Sequence, residues 1–356
     1  MDIKTLSKIY HNFVSELEKA TKGKTTSLPF IVHELSPSPI VEEGEVFQVI
    51  VIGGSVYKQA TLIKNGKGIE ILEKKEEQLT FRTEDEFLKF IDLSLKKDIN
   101  VLALNFAYPI KPVFEKGILD GILLVVTKEG GFHGLVGKQV GKEIKNYIFK
   151  KRDKRIKVAV ANDTVCLLTA GLLKFKKEEL ASGIVGTGFN MAFFLEKDKL
   201  VNLESANFDK FPRSMEGKII DEESDIPGRS FFEKEVAGAY LYKHFNIIIK
   251  EKGINFSPIS STEELDSVSR KNIPQVSLIA QELLKRSAQL VSCQIAGVAR
   301  FKKRNMVFNM EGSLFWKGSN YKNTVAETVK KLVPEYRVDF VEIENSAIIG
   351  AAKLIA

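Results

Sequence analysis

The sequence predicts an α/β protein of two lobes with a cleft between them, and three stretches predict it. The first is Val158-Ala159-Val160-Ala161, a short apolar strand that stops at Asn162 and Asp163 and gives way to a helical apolar run at Val165, Leu167 and Leu168. A strand this apolar is usually covered on both faces, and its carboxyl end is where open α/β sheets place ligands. The second is an apolar strand at 47–52 that breaks at Gly53-Gly54-Ser55 and resumes at 57–63. The third repeats that form: Gly183-Ile184-Val185 runs into Gly186-Thr187-Gly188 and leaves through residues 190–195. Two strand, glycine turn and strand units, one in each half of the chain, point to an ancestral duplication and so to two lobes.

The remaining elements fit between these. Residues 6–20 carry apolar side chains at Ile9, Phe13 and Leu17, the spacing of an amphipathic helix. A proline-containing connector, 28–39, follows. Thr83 and Glu86 form a capping box that opens a helix through Phe87, Phe90 and Ile91. Residues 101–104 read as a buried strand and 135–149 as a helix, and the helix after Asp163 is expected to run to about Lys177. A long helix is expected over 276–300, a strand over 306–310, a turn at Glu311-Gly312-Ser313, and a small-residue helix over 348–355 around Gly350-Ala351-Ala352.

Composition narrows the class. The 356 residues suit two domains or one large one, and 44% hydrophobic content is ordinary for a folded protein. The net charge of +7 comes from 53 basic and 46 acidic residues mixed along the chain. The densest basic run, 150–155, has no interleaved aromatics and reads as a solvated connector, so no nucleic-acid partner is expected. Cys166 and Cys293 lie far apart in apolar patterns and read as buried thiols, which makes a reducing cytoplasm the expected location. No apolar run is long enough to span a bilayer, and no membrane partner is expected. His11, His33, His133 and His244 are scattered and form no metal pair, and no residue is assigned as a direct metal ligand.

Asp163 admits two readings. Asn, Asp and Thr are good helix N-caps, so Asn162-Asp163-Thr164 serves simply to start a helix. The same carboxylate stands at the rim of a core, beside an amide able to hydrogen-bond a polar ligand. The glycine turns suit phosphate, because backbone N–H groups approach oxygens with no Cβ in the way, although hairpins use glycine anyway.

In order along the chain, these segments resemble the eukaryotic-type hexokinase and glucokinase family of the actin-like ATPase superfamily, with its ribonuclease H-like fold. Ser27-Leu28-Pro29-Phe30-Ile31-Val32 resembles the entry to the small domain, and Gly53-Gly54-Ser55 the first phosphate loop. Phe106-Ala107-Tyr108-Pro109 and Thr127-Lys128 resemble sugar-facing segments, and Asn162-Asp163-Thr164 the catalytic one. Gly186-Thr187-Gly188-Phe189-Asn190 resembles the second phosphate loop with its sugar-binding Asn. Asn202-Leu203-Glu204 and Pro227 to Lys234 resemble the two segments that each supply a sugar-binding Glu. Glu311-Gly312-Ser313-Leu314 and Gly350-Ala351-Ala352 resemble the adenosine region and the last helix.

The resemblance implies an ATP-dependent hexose kinase that transfers the γ-phosphoryl group to the 6-hydroxyl of glucose or a similar hexose, with Mg2+ and ATP bound and a monomer or homodimer as the assembly. It implies Asp163 as general base, ionised at neutral pH with an ordinary aspartate pKa of about 3.9, and Lys128 as a positive donor near the reacting centre. Thr127, Asn162, Asn190, Glu204 and Glu233 would hold the sugar. Gly53, Gly54, Ser55, Lys58, Gly186, Thr187, Gly188, Gly312 and Ser313 would hold the nucleotide. The implied domains are a small one over 44–161 with 345–356, and a large one over 162–344 with 1–43 packed on it.

The chain also departs from the family pattern. The Asp expected before the first glycine pair, which assists magnesium through water, is Val51, and the Thr, Asn and Arg expected later in that loop are Ser55, Val56 and Lys58. Ala107 and Ser230 stand where a Ser and a Gln are expected, Asn345-Ser346-Ala347-Ile348 replaces a glycine-rich turn, and the chain is shorter than a typical catalytic unit. Val51 therefore supports a second expectation, a catalytically impaired homologue that binds sugar as a sensor or regulator. An actin-like ATPase without sugar chemistry would leave Thr127, Lys128, Asn190, Glu204 and Glu233 unexplained.

Overall fold

The computed structural model describes residues 1–53, 56–66, 68–124, 131–196 and 198–356. The chain opens with helix α1 (Ile3–Thr21) and continues through strands β1 (Ile31–Glu34), β2 (Val46–Ile52), β3 (Val56–Asn65) and β4 (Gly68–Gln78). Helix α2 (Glu84–Ser94) leads to β5 (Val101–Phe106), β6 (Ile110–Glu115), β7 (Ile118–Leu123), α3 (Val140–Arg152), β8 (Lys157–Ala161) and α4 (Asp163–Ala170). Strands β9 (Leu180–Val185), β10 (Phe189–Glu196) and β11 (Lys199–Asn202) precede helices α5 (Met215–Glu222), α6 (Phe231–Val236), α7 (Gly238–Glu251), α8 (Thr262–Ser269) and α9 (Pro274–Lys302). Strand β12 (Met306–Glu311), helices α10 (Ser313–Lys317) and α11 (Tyr321–Leu332), strand β13 (Val338–Val341) and helix α12 (Ser346–Ala352) complete it.

These elements divide into two units, the first of residues 1–30, 183–191 and 203–341, the second of 31–182, 192–202 and 342–356. The chain passes from one to the other within β9 and again within β10. Residues 162–182 and 192–202, which the sequence analysis sets beyond the small-domain boundary, fall in the second unit.

The second unit is built on a five-stranded sheet of order β4-β3-β2-β5-β8. Strands β2, β5 and β8 run parallel, and β3 and β4 are antiparallel additions. The strand period of two divides the apolar side chains between two clusters. Phe47, Val49, Val51, Val101, Ala103, Ala159 and Ala161 join one, with Val165 and Leu168 of α4 and Ile348, Ala351 and Ala352 of α12. Ile50, Ile52, Leu102, Leu104, Val158 and Val160 join the other, with residues of α2 and α3. The sheet is thus covered on both faces, as the unbroken apolar run at 158–161 requires. Helix α12 lies close against α4, because a Cβ added to Gly350 would stand 1.7 Å from the Cys166 carbonyl oxygen. Thr169 Oγ1 donates to the Gly350 carbonyl at 2.8 Å across the same contact.

Two boundaries differ from the sequence reading, and both have local causes. The expected capping box is present, with Glu86 N–H donating to Thr83 Oγ1 at 3.2 Å and Thr83 N–H to Glu86 Oε2 at 3.3 Å. The helix expected over 135–149, however, begins only at Val140, because Gly134 and Gly137 take φ values of +100° and +81°. Gln139 provides no side-chain cap, and the buried Asp120 of β7 supplies the carboxylate instead. It accepts from the N–H groups of Gly121 and Gly141 at 2.7 and 2.8 Å and from Gln139 Nε2 at 2.9 Å. Burial raises the Asp120 pKa, and these hydrogen bonds limit the rise. Helix α4 ends at Ala170, short of the expected Lys177, and continues as a 3-10 turn over Gly171–Leu173.

The first unit is organised around the 29-residue α9, most of whose side chains are buried. Helix α1 packs on it: a Cβ at Gly297 would meet the Phe13 ring at 2.5 Å, and Cys293 Sγ donates to the Leu6 carbonyl at 3.5 Å. Strands β12 and β13 pair in parallel beside β9. Residues 215–269, which hydrophobic periodicity left unassigned, fold into the four helices α5 to α8.

One buried group sets a pH limit on the second unit. In β1, His33 is 1% exposed, with Nδ1 donating to the Ile31 carbonyl at 3.0 Å. Burial lowers its pKa from 6.5 to about 4, against a smaller raising effect of that hydrogen bond. The folded state therefore favours neutral imidazole. Its contribution is complete above pH 6.5 and is lost progressively as the pH falls through about 4, on the order of 3 kcal/mol in all. In urea melts at pH 7, 5.5 and 4.5, the stability gap between the natural chain and His33→Leu should shift toward the variant as the pH falls. A gap independent of pH would refute the assignment.

Candidate active site

In the first unit one turn organises the polar groups. Between β9 and β10 the Gly186 N–H donates to the Gly188 carbonyl at 3.1 Å. The far side of the turn is held by the start of α7, where the Gly238 N–H donates to the Gly186 carbonyl at 2.7 Å and the Ala239 N–H to the Thr187 carbonyl at 3.1 Å. Gly312, at the end of β12, has φ +119°, and a Cβ there would lie 2.2 Å from the Val185 carbonyl oxygen. Only glycine meets both conditions, the left-handed backbone and the contact.

Three of the residues expected to hold a sugar, Asn190, Glu204 and Glu233, are joined to this turn directly or through a neighbouring residue. Asn190 Oδ1 accepts from the Met191 N–H at 2.7 Å and from the Ser205 N–H at 3.2 Å, which ties it to the residue after Glu204. Glu204 adopts φ +48°, and its carbonyl accepts from both the backbone N–H and the side-chain amide of Asn207 at 3.1 Å. The Asn207 Oδ1 in turn accepts from the Ser230 N–H at 3.4 Å, at the entry to α6. On α6, Glu233 Oε2 accepts from the Phe189 N–H at 2.9 Å and would stand 3.0 Å from a Cβ on Gly188. Asn190, Glu204 and Glu233 are all half-buried.

On its other side the same turn borders a cavity of about 510 Å³, walled by Gly186, Thr187, Gly238, Tyr242, residues 260–263, Asp266, Arg270, Ser313 and Lys317. Asp266 braces one wall, pairing with Arg270 at 2.5 Å and accepting from the Ser319 N–H at 2.6 Å. The walls present glycine backbone, hydroxyls, the cations Arg270 and Lys317 and the carboxylates of Glu263 and Asp266, with Arg270 already paired to Asp266. Of the residues the sequence reading assigns to the nucleotide, Gly186, Thr187 and Ser313 line this cavity; it did not anticipate Gly238 or the 260–270 wall. The signal for Gly238 was the Ala237-Gly238 pair between two helical runs. The signal for the wall was the Ser261-x-x-Glu264 capping pattern that opens α8, where the Glu264 N–H donates to Ser261 Oγ at 3.2 Å.

In the second unit the polar groups stand at the carboxyl ends of β2, β5 and β8. Asn162 is the N-cap of α4: its Oδ1 accepts from the Thr164 N–H at 3.0 Å, while its Nδ2 donates to the Tyr108 carbonyl at 3.4 Å. Asp163 Oδ1 accepts from the Thr164 N–H at 2.7 Å and from Thr164 Oγ1 at 3.2 Å. Tyr108 Oη donates to the Gly53 carbonyl at 3.4 Å, and the Gly53 N–H donates to the Val56 carbonyl at 3.0 Å. Gly53, Tyr108 and Asn162 are thereby joined in one network, with Asp163 at its rim. Lys58 lies in β3 opposite Val51 and pairs with Glu76 of β4 at 3.1 Å. Gly54, Ser55, Thr127 and Lys128 lie outside the described residues.

Comparison with known proteins follows this geometry. Two family models described as hexokinase match, one over residues 1–172 and the other over 255–356. Hexokinase-1 of Saccharomyces cerevisiae is 25% identical over 93% of this chain and 83% of its own length. The hexokinase of Emericella nidulans is 24% identical over 100% of this chain and 88% of its own. The chain belongs to the hexokinase family. Its class is accordingly that of a hexokinase-type phosphotransferase, a hexose kinase. The structure of hexokinase from Schistosoma mansoni complexed with glucose aligns with a TM-score of 0.81 at 21% identity, covering 100% of this chain and 95% of that one. A ROK family glucokinase from Streptomyces griseus, in complex with glucose and AMPPNP, aligns at 0.58 and 13% identity over 87% of this chain and 99% of that one. The fold of this hexokinase-family chain is therefore the α/β actin-like ATPase fold. Among the described residues no helix is long and apolar enough to cross a membrane.

The contact at Gly312 is open to a paired test. Gly312→Ala adds a clash with the Val185 carbonyl to the cost of a positive φ, whereas Gly253→Ala, at φ +61° with nothing within 4 Å, bears only the backbone cost. Urea melts should place Gly312→Ala below Gly253→Ala by about 1–3 kcal/mol, the usual cost of forcing atoms into a packed site. Equal losses would show that Gly312 is not in contact with β9.

Proposed function

We propose that this chain is an ATP-dependent kinase that transfers the γ-phosphoryl group to the 6-hydroxyl of glucose or a similar hexose, with Asp163 as general base. One observation carries the reading. The Gly186–Asn190 turn is bonded through Phe189 to Glu233 and through Asn190 to Ser205 beside Glu204, and it also borders the 510 Å³ cavity. A single five-residue segment thus serves a shell suited to hydroxyl groups and a pocket suited to a nucleotide. The glucose and AMPPNP named for the solved relatives fit that pairing.

In this reading Asn162, Asn190, Glu204, Glu233 and Thr127 bind the sugar, and Lys128 is a positive donor near the reacting centre. Buried carboxylates and amides matched to hydroxyls reject ligands that would leave them unpaired. Asp163 accepts the proton of the attacking hydroxyl, a role that needs a carboxylate within hydrogen-bond reach of it. Its anchoring through Oδ1 to Thr164 fixes the direction of the carboxylate. The glycine turns and Ser313 receive the phosphates and the nucleoside.

Among the described residues there is no group of three His, Cys, Asp or Glu side chains placed to hold a metal. Magnesium keeps most of its waters and leans on substrate phosphates with one or two carboxylates. Asp163 is the carboxylate available to it, and the ion would offset charge developing on the phosphoryl oxygens. The expected assembly is a monomer or homodimer, and the expected location the cytoplasm.

The test is a coupled assay with ATP, magnesium and a panel of hexoses. Asp163→Asn should lose about a hundred- to ten-thousand-fold in turnover, the usual worth of a general base, while calorimetry still shows hexose binding. An Asp163→Asn enzyme with full activity would overturn the assignment.

A second reading, a sugar-binding regulator of impaired catalysis, has its own observation. Val51, where the family pattern has an acid, lies 8% exposed between Lys58 and Asn105 and packs in the apolar cluster with Val49 and Val165. Val51→Asp should tighten use of magnesium and ATP modestly, because the new carboxylate must be partly desolvated. Hexose binding without phosphorylation in the natural chain, with activity gained in Val51→Asp, would establish the regulator. Normal turnover that Val51→Asp impairs would exclude it.

A further inference from the structure

Helix α6, which carries Glu233, is six residues long and begins at Ser230 with φ +51° and no side-chain cap. A helix this short is not stable by itself, so its position and rotation must come from tertiary anchors. Two successive side chains provide them. Lys234 is completely buried, and its Nζ donates to Asp221 Oδ1 at 2.5 Å and to the Ile226 carbonyl at 2.9 Å. Asp221, at the end of α5, also accepts from the Gly228 N–H at 3.1 Å and pairs with Arg213 at 3.1 Å. Arg213 in turn lies over the Phe231 ring at 4.1 Å. The next residue, Glu235, is 1% exposed and accepts from the Ser214 N–H and Oγ at 2.7 and 2.9 Å and from Arg286 at 2.6 Å.

Consecutive helical residues point about 100° apart. A cation fixed at 234 and an anion fixed at 235 therefore determine the rotation of the helix, and so the direction of the carboxylate at 233. Buried ion pairs are poor sources of stability, because desolvation offsets their attraction. Their more useful product is one defined geometry. Asp221 is placed for that, since it grips the helix through Lys234 and the loop leading into it through Gly228.

We propose that the Lys234–Asp221 pair is the positioning device that aims Glu233 at the hexose. Hexose affinity is then set by two residues that touch no ligand, while nucleotide affinity is set elsewhere. The inference rests on Glu233 as a sugar ligand, and its test separates the two claims. Steady-state assays on glucose and on ATP with magnesium would compare Glu233→Gln, Lys234→Met, Asp221→Asn, the double variant Lys234→Met/Asp221→Leu, and Lys234→Met in the Glu233→Gln background. Glu233→Gln should raise the KM for glucose about tenfold, the cost of one unmade hydrogen bond to a buried group. Lys234→Met and the double variant should raise it comparably, with the KM for ATP changed less than about twofold. In the Glu233→Gln background, Lys234→Met should add little further, because residues acting through one group are not additive. The double variant removes both buried charges together and leaves the half-buried Arg213 with the Gly217 carbonyl as acceptor, so it tests positioning even if Lys234→Met alone fails to fold. An unchanged KM for glucose in Glu233→Gln would remove the sugar-site reading. A raised KM there with a normal KM in the double variant would overturn the positioning role alone, as would equal losses for both substrates.

Discussion

The first unit depends on a place from which side chains are excluded. The β9–β10 turn, the end of β12 and the start of α7 approach so closely that Gly186, Gly238 and Gly312 meet backbone to backbone. The result is a surface of peptide N–H groups and carbonyls with no Cβ to hold a ligand away. Everything assigned to the candidate site in this unit is referred to that surface. Glu233 reaches it through the Phe189 N–H, Asn190 leaves it to meet the Glu204 segment, and the cavity opens beside Gly186 and Thr187.

The side chains around the turn are held by a different kind of physics. Lys234, Glu235 and Asp221 are all buried, and each has a partner of opposite sign. An apolar core would give α6 more stability per residue, but packing alone leaves a short amphipathic helix some freedom to rotate. Paired buried charges do not tolerate rotation, because any turn of the helix leaves an ion without its partner. The second unit solves the same problem with the sheet. Parallel strands covered on both faces end together, and Asn162, Tyr108 and Gly53 are positioned by strand ends rather than by buried charge. Ordinary alternation of apolar side chains suffices there.

That contrast explains what could be read from the sequence. The run at 158–161, the glycine turn at 186–188 and the capping box at Thr83 are local signals, and each appears where the residues place it. Family order added Asn190, Glu204 and Glu233, and the structure brings these three to one turn. The 215–269 region stayed unread because three of its four helices have eight residues or fewer, and α6 is anchored by long-range pairs, Lys234 with Asp221 and Glu235 with Arg286. No periodicity records such pairs. The start of α3 was misjudged for a similar reason: its cap is Asp120, 20 residues earlier and on another strand. That α12 packs closely was legible from Gly350-Ala351-Ala352, but its partner, α4 at the Cys166 carbonyl, was not.

Val51 sets core packing in the second unit against the carboxylate that the family pattern places there. In β2 it is an integral part of the apolar cluster that joins the sheet to α4 and α12, so its side chain contributes to the packing beneath Asp163. A carboxylate at this point would gain an interaction with the metal's water shell and lose that packing. Magnesium takes most of its ligands from phosphate and solvent, so the interaction forgone is one of several, whereas core packing at a strand end has no substitute from solvent. The exchange is tolerable only if the nucleotide is held firmly from elsewhere. In the proposed kinase the glycine backbones at Gly186, Gly238 and Gly312 are the groups offered for that, and position 51 keeps the apolar packing with α4 and α12 instead of a carboxylate.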